Sequence, residues 1–324
     1  MHRILTVVAG IVAGLSGSVA MAQGGTAFPS RPIRIIVPSG AGGITDILAR
    51  VIAARLSENL GQQVIVDPRA GAAGVVGTEI AANATPDGYT LLMVIPSHAS
   101  NPSLLRKLPY DSVRSFAPIT LVSAVATVLI VPASSPVRNV QDLIGHARDR
   151  PGQLNYGSVG RGTLGHLSME MFRSMTGIQM THITYKGSPQ VMASLIGGEI
   201  NAYFIASAGS AATQMRAGRI RALGVSTKNR QAALPEVPPI ADTVPDFEAR
   251  GWNGILAPAG TPRTVISRLH AEIVKVLNTA EFKERLGVEG AELVGNTPEE
   301  FAAVMRGDIA KWARVVKAAG IETQ

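Results

Sequence analysis

The sequence predicts an α/β chain of two lobes, each a mainly parallel sheet flanked by helices, with a ligand cleft between them. Three observations carry that prediction. Apolar runs of strand length alternate with segments whose apolar residues recur at helical spacing, the pattern of parallel strands joined by covering helices. Four loops rich in glycine and hydroxyl residues each link a strand to the helix after it, two before about residue 123 and two beyond it. The chain has 324 residues, 46% of them hydrophobic, enough to build two cores.

Residues 1–22 read as a leader outside the fold. His2 and Arg3 give a short positive start, 4–12 is apolar, and 16–22 is rich in small residues. Ala20-Met21-Ala22 fits the small-x-small cleavage rule, so the mature, exported chain is expected to begin at Gln23. Glycines and serines between Gly14 and Ser18 break the stretch too early for a spanning helix.

The first strand is expected over 33–37, where Ile33, Ile35, Ile36 and Val37 precede Pro38. The Gly40-Ala41-Gly42-Gly43 loop then enters a helix over 45–60, with Ile47, Leu48, Val51 and Ile52 at helical spacing. A strand over 64–66 leads through Arg69-Ala70-Gly71-Ala72-Ala73-Gly74 into a helix over 74–83. Further strands are expected at 90–95 and 127–131, and a helix at 140–149. The strand 154–157 opens the third loop, Gly157-Ser158-Val159-Gly160-Arg161-Gly162-Thr163, and a helix over 163–175. Strand 181–184 opens the fourth, Tyr185-Lys186-Gly187-Ser188-Pro189, with Ser188 as N-cap and Pro189 as first helical residue of 189–197. Strands 200–204, 221–225 and 253–257 and helices 210–217, 262–279 and 298–318 complete the pattern. Thr297-Pro298-Glu299-Glu300 is a capping box, and Gly320 can close the last helix.

Loops of this kind aim backbone N–H groups at one spot where the helix dipole favours an anion. None is a nucleotide fingerprint: the first lacks a third glycine and the Lys-Ser or Lys-Thr of a phosphate loop. The formal charge of +7 suits an anionic solute. Nucleic acid is not expected as a partner, because no basic run or interleaved aromatics accompany that charge. The absence of cysteine excludes disulfides, thiolate catalysis and a lipid-modified N-terminal cysteine. No His-Glu-x-x-His motif or close metal-ligand pair occurs, and Gly157-Ser158-Val159-Gly160 is one residue short of a nucleophile elbow. Neither an enzyme, a metal site nor a cofactor is expected, and the chain is expected to be a monomer.

Taken in order, VPSGAGGITD (37–46), VIVDPRAGAAG (64–74), TPDGYTLL (85–92), NYGSVGRGTLGHL (155–167), ITYKG (183–187), RALGVST (221–227), LPEVPPIAD (234–242) and ILAPAGTP (255–262) resemble the periplasmic solute-binding receptors of tripartite tricarboxylate transporters, the Bug family. The resemblance covers the mature chain. It implies a type II periplasmic-binding-protein fold, with one lobe from 23–123 plus 247–324 and the other from 124–246. It also implies a small carboxylate ligand and, as partners, the large and small membrane subunits of a transporter; an orphan receptor that acts as a ligand-sensing co-receptor for signalling is the alternative.

Carried onto this sequence, the resemblance implies ligand contacts from Ser39, Gly42, Gly43 and Thr45, and from Ser97 and His98, in the first lobe. In the second it implies Ser158, Gly160, Thr163 and His166, then Thr184, Tyr185 and Lys186, and the strand end Ile205, Ala206 and Ser207. Two positions depart from the family pattern. Ser39 stands where an aromatic residue is common, and Ile205-Ala206 where Asp-Asn is common. An acid there could pair with a ligand's ammonium group, and without it that charge would be buried unpaired. The expected ligand therefore lacks an amino group. Gly251-Trp252-Asn253-Gly254 is a candidate hinge neighbourhood.

Overall fold

The computed structural model describes residues 28–42 and 44–323; the expected leader and its cleavage site, and Gly43, lie outside the described residues. The chain runs β1 (Ile33–Val37), α1 (Ile44–Leu60), β2 (Val64–Pro68), α2 (Val75–Ala82), β3 (Thr90–Val94), α3 (Ser97–Leu104), β4 (Phe116–Ala126) and β5 (Val128–Pro132). It continues through α4 (Val140–Asp149), β6 (Asn155–Ser158), α5 (Leu164–Thr176), β7 (Thr181–Thr184), α6 (Ser188–Ile196), β8 (Ala202–Ile205), α7 (Ala208–Arg216) and β9 (Ile220–Val225). The last part is β10 (Arg250–Pro258), α8 (Arg263–Leu277), α9 (Ala280–Glu289), β11 (Ala291–Leu293) and α10 (Pro298–Ala318).

Two sheets result, ordered β11-β4-β10-β3-β1-β2 and β7-β6-β8-β5-β9. Parallel pairing holds where strand–loop–helix units repeat: β1 pairs with β2 and β3, and β6 with β7 and β8. The sheets are nonetheless mixed rather than mainly parallel. β10 lies antiparallel to β3 and β4, β11 to β4, and β5 to β8 and β9. The cause is the chain's passage between sheets. β4 belongs to the first and β5 to the second, with Thr127 alone between them, and β10 brings the chain back.

Local sequence accounts for the helix ends. The capping box at Thr297 is complete: its hydroxyl accepts from the Glu300 N–H, and Glu300 accepts from the Thr297 N–H. Gly187, not Ser188, is the N-cap of α6; the Ser188 hydroxyl instead bonds the Tyr203 hydroxyl at 2.8 Å. Gly251 and Gly254 are strand residues of β10 paired with β4. Gly254 leaves room for the Phe301 ring, and Trp252 is buried with its Nε1–H donating to Asp308 of α10 (2.7 Å).

The two passages between the sheets touch at Ser226, a fully buried residue just past β9. Its hydroxyl donates to Ala249 O (2.6 Å) and accepts from the Thr127 N–H (2.8 Å). Its own backbone N–H donates to Thr127 O (2.9 Å) and its carbonyl accepts from the Ala249 N–H (3.0 Å). Phe247 fixes the returning chain beside this point, its ring 6.0 Å from those of both Phe172 and Phe204. Removing the hydroxyl leaves a buried donor and a buried acceptor unpaired, so Ser226→Ala is expected to lower stability by about 1–3 kcal/mol in urea denaturation. An unchanged midpoint would mean that the backbone bonds alone hold the crossing.

Candidate functional site

The glycine loops leave the C-terminal ends of β1, β2, β6 and β7, where ligands of open α/β sheets bind. In the first loop Asp46, in the first turn of α1, folds back: its Oδ2 accepts from the Gly42 N–H (2.9 Å) and from Arg50 Nε (2.9 Å). Burial pushes its carboxyl up, but the Arg50 and Gly42 bonds more than offset this and hold it below the ordinary carboxylate range. The Thr45 hydroxyl donates to buried Asn253 (2.8 Å), which anchors the loop to β10. Ser39 Oγ is buried with no protein partner.

The second loop is strained. Ala72 and Ala73 take left-handed φ values of 46° and 54°, each costing roughly 1–2 kcal/mol for a residue with a Cβ. Two side chains of α3 hold this shape, since the Ser97 hydroxyl (2.7 Å) and Asn101 Nδ2 (3.1 Å) both donate to Ala73 O. Arg69 braces the same stretch through Asp67.

In the third loop Ser158 is fully buried, and its Oγ accepts from the Gly160 N–H (3.1 Å) and bonds His182 Nε2 (2.7 Å). The Gly162 N–H donates to His166 Nδ1 (3.1 Å), and the Thr163 hydroxyl donates to Gly160 O (2.8 Å). Gly162, at φ 75°, faces Leu104 of α3 so closely that a Cβ would collide with it, and Ser100 donates to its carbonyl (3.3 Å). These contacts join the two sheets' loops. Beside them lies a cavity of about 310 Å³, mostly apolar, whose walls include Ala73, Pro96 and Leu104 on one side and Arg161 and Thr163 on the other.

Of the residues singled out from the sequence, Ser97 and Thr163 line this cavity. Thr184, Lys186 and Ala206 are exposed at strand ends of the second sheet, and Tyr185 donates its N–H to Ser158 O (2.9 Å). Ser207 caps α7. Several are turned inward instead. The His98 ring bonds Ser112 O (2.9 Å) among Tyr110 and Phe116, so it is a core residue of the first lobe rather than a cleft group. Ile205 is core as well. Thr45, Ser158 and His166 are buried and engaged in bracing their loops. His182 and Asn101 escaped the sequence reading, and Asn253 entered it only as part of a candidate hinge. His182 becomes visible only once β6 and β7 are paired, which sets it beside Tyr156 in register.

Two buried histidines make stability depend on pH. Burial lowers His98 to about 4. Burial, then His182, Arg161 and Arg173, lower His166 to about 3. Both stay neutral in the folded chain while the unfolded chain protonates them below about 6.5. Their contribution is therefore complete above that value and lost as pH falls toward 4. Denaturant titrations are expected to show a loss on the order of 2 kcal/mol per histidine between pH 7.5 and 5. A carboxylate acts at lower pH: Asp111, held at about 2 by Arg114 and Val113, loses its stabilising effect only below about 3.8. A flat profile between pH 7.5 and 5 would contradict the neutral, hydrogen-bonded histidines.

Comparison with known proteins fits this geometry. The family model of the tripartite tricarboxylate transporter family receptor matches residues 48–321. Protein BugT of Bordetella pertussis is 35% identical over 326 residues, covering 99% of this chain and 98% of its own. The solved structure of R. palustris Rpa4515 with adipate shares 36% identity at a TM-score of 0.79, covering 92% of this chain and 100% of its own. MatC from Rhodopseudomonas palustris with bound malate shares 26% identity at a TM-score of 0.75, covering 89% and 100%. Matched by the family model and alike over nearly its whole length to such relatives, the chain belongs to the tripartite tricarboxylate transporter receptor family, the group of solute-binding proteins that includes the Bug proteins.

Proposed function

We propose that this protein is a periplasmic receptor that closes two lobes on a small carboxylate and delivers it to the large and small membrane subunits of a transporter. The observation that carries this reading is the meeting of loops from both sheets at one inter-sheet space. One side presents Ser97 and the strained Ala72–Ala73 loop, the other Arg161 and Thr163. Relatives solved with adipate and malate support the carboxylate class. Among the described residues no helix is long and apolar enough to cross a membrane.

The lobes in this reading are residues 23–123 plus 247–324 and residues 124–246, turning about the crossings at Thr127 and Ala249. Ligand bridging the two would favour the closed state by its differential affinity, which is the only way binding can shift such a population. In this reading Ser39, Gly42, Ser97, Gly160, Thr163, Thr184, Tyr185 and Lys186 face the ligand, while Thr45, Ser158 and His166 hold the loops in shape. The apolar side of the cavity suits a ligand with a hydrocarbon body. At the end of β8, Ile205 is buried and Ala206 carries no charge, so an ammonium group there would be desolvated without a partner.

The test is thermal unfolding of the chain from Gln23 on against a panel of aliphatic and aromatic carboxylates and amino acids. A ligand at about 100 times its dissociation constant adds roughly 2.7 kcal/mol, expected as a rise of several degrees. Stabilisation by a non-amino carboxylate is the expected result; a panel without any shift would remove the carboxylate class. Ala206→Asp is expected to weaken that ligand by like-charge repulsion and to bring a shift with aspartate or glutamate. Strong stabilisation of the unaltered protein by either amino acid would overturn the inference drawn from Ala206.

A further inference from the structure

Beneath the third glycine loop lies a cluster of titratable groups that ligand contact alone does not account for. The rings of His166 on α5 and His182 on β7 are 4.3 Å apart, and His182 stacks on Tyr156 of β6 at 4.8 Å. The Tyr156 hydroxyl donates to Glu170 of α5, which also accepts from Arg173 (2.6 Å). The charge of Arg161, in the loop itself, lowers the proton affinity of both histidines. Each histidine controls one amide. His166 Nδ1 accepts the Gly162 N–H directly, and His182 bonds the Ser158 hydroxyl that accepts the Gly160 N–H. The bond to Gly162 requires a lone pair on Nδ1, so His166 is the neutral Nε2–H tautomer.

We propose that His166 and His182 form a proton-linked latch: while neutral they hold the Gly160 and Gly162 amides turned inward, and when an anion draws those amides out the pair takes up one proton. This rests on the reading that the loop receives the ligand's carboxylate. If the Gly162 N–H leaves, His166 Nδ1 becomes a buried acceptor with no donor, because this residue is only 3% exposed. A proton on that nitrogen turns it into a donor and places a positive charge beside the anion. Two protons cannot be held, since like charges at this separation in a buried site repel. Glu170 favours the single proton. Burial, Arg161 and Arg173 oppose it, which keeps the pair neutral until the anion arrives.

The sign follows. The bound state has the higher proton affinity, so binding tightens as pH falls through the window between the free and bound titrations.

Calorimetry with adipate at pH 8, 7 and 6, in two buffers of different ionisation heat, reads both affinity and proton uptake. Adipate stays almost wholly ionised over most of this range. The affinity is expected to rise by up to about tenfold per pH unit, with proton uptake approaching one per adipate bound. His166→Asn keeps an acceptor for the Gly162 N–H but cannot titrate, and it is expected to lose most of that slope, with its melting curve confirming the fold. Binding without proton uptake, or a His166→Asn variant with the full slope, overturns the latch alone. Absence of adipate binding at every pH counts instead against the loop as a site for this carboxylate, and removes the latch with it.

Discussion

Ser226 carries a constraint on which the arrangement of everything else depends. A chain that leaves one sheet and later returns to it needs its two crossings held together, or the sheets would have no fixed relation. Here one buried hydroxyl and a pair of backbone bonds tie Thr127 to the returning strand at Ala249. The crossings could not be joined by apolar contact alone, because each carries backbone N–H and C=O groups that are buried there and need partners. A serine at the end of β9 reaches both at once. It also explains why the sheets are mixed: the strands that enter and leave this point, β4, β5 and β10, supply most of the antiparallel pairing.

The loops that meet between the sheets share one construction. Their amides and carbonyls are engaged by side chains of their own lobe, Asp46 for Gly42, Ser97 and Asn101 for Ala73, Ser158 and His166 for the two glycines of the third loop. Left-handed alanines and positive-φ glycines are tolerated because these bonds over-determine them. A site so built is preorganised, and its donors already have defined directions before a ligand arrives. The cost is that a ligand must exchange bonds rather than simply fill vacancies, which makes the residues behind the loops part of the binding equilibrium.

How much of this was legible in the residues divides along physical lines. Elements with local signals were read closely: β1 with its isoleucines, α10 with its capping box, and each strand–loop–helix unit. The segments that were missed lack such signals. β4 runs into β5, the strand expected at 127–131, as one apolar stretch, and that the two join different sheets is a tertiary fact hidden behind Thr127. α3 is short and polar, with Pro102 inside, and is held in place by its bonds to Ala73 and Gly162 rather than by helix propensity. The site loops were located from glycine spacing, but the inward engagement of Ser158 and His166 depends on His182 and on Leu104 against Gly162, whose proximity requires the strands to be paired first. His98 looked like a loop residue because the sequence does not reveal that Tyr110 and Phe116 close over it.

The two tryptophans share one address. Trp252 on β10 is hydrogen-bonded to Asp308, and its ring meets Phe301 edge-on at 5.3 Å; Trp312, also on α10, lies under the ammonium of Lys311 at 4.7 Å. Both indoles are buried, and α10, which carries Trp312 and both partners of Trp252, packs on β4 and α3 of the first sheet's layer and on α5 of the second. Intrinsic fluorescence of this protein is consequently a gauge of the surroundings of α10. Because that helix rests on both layers, a motion that parts them acts on the element to which both indoles are tied.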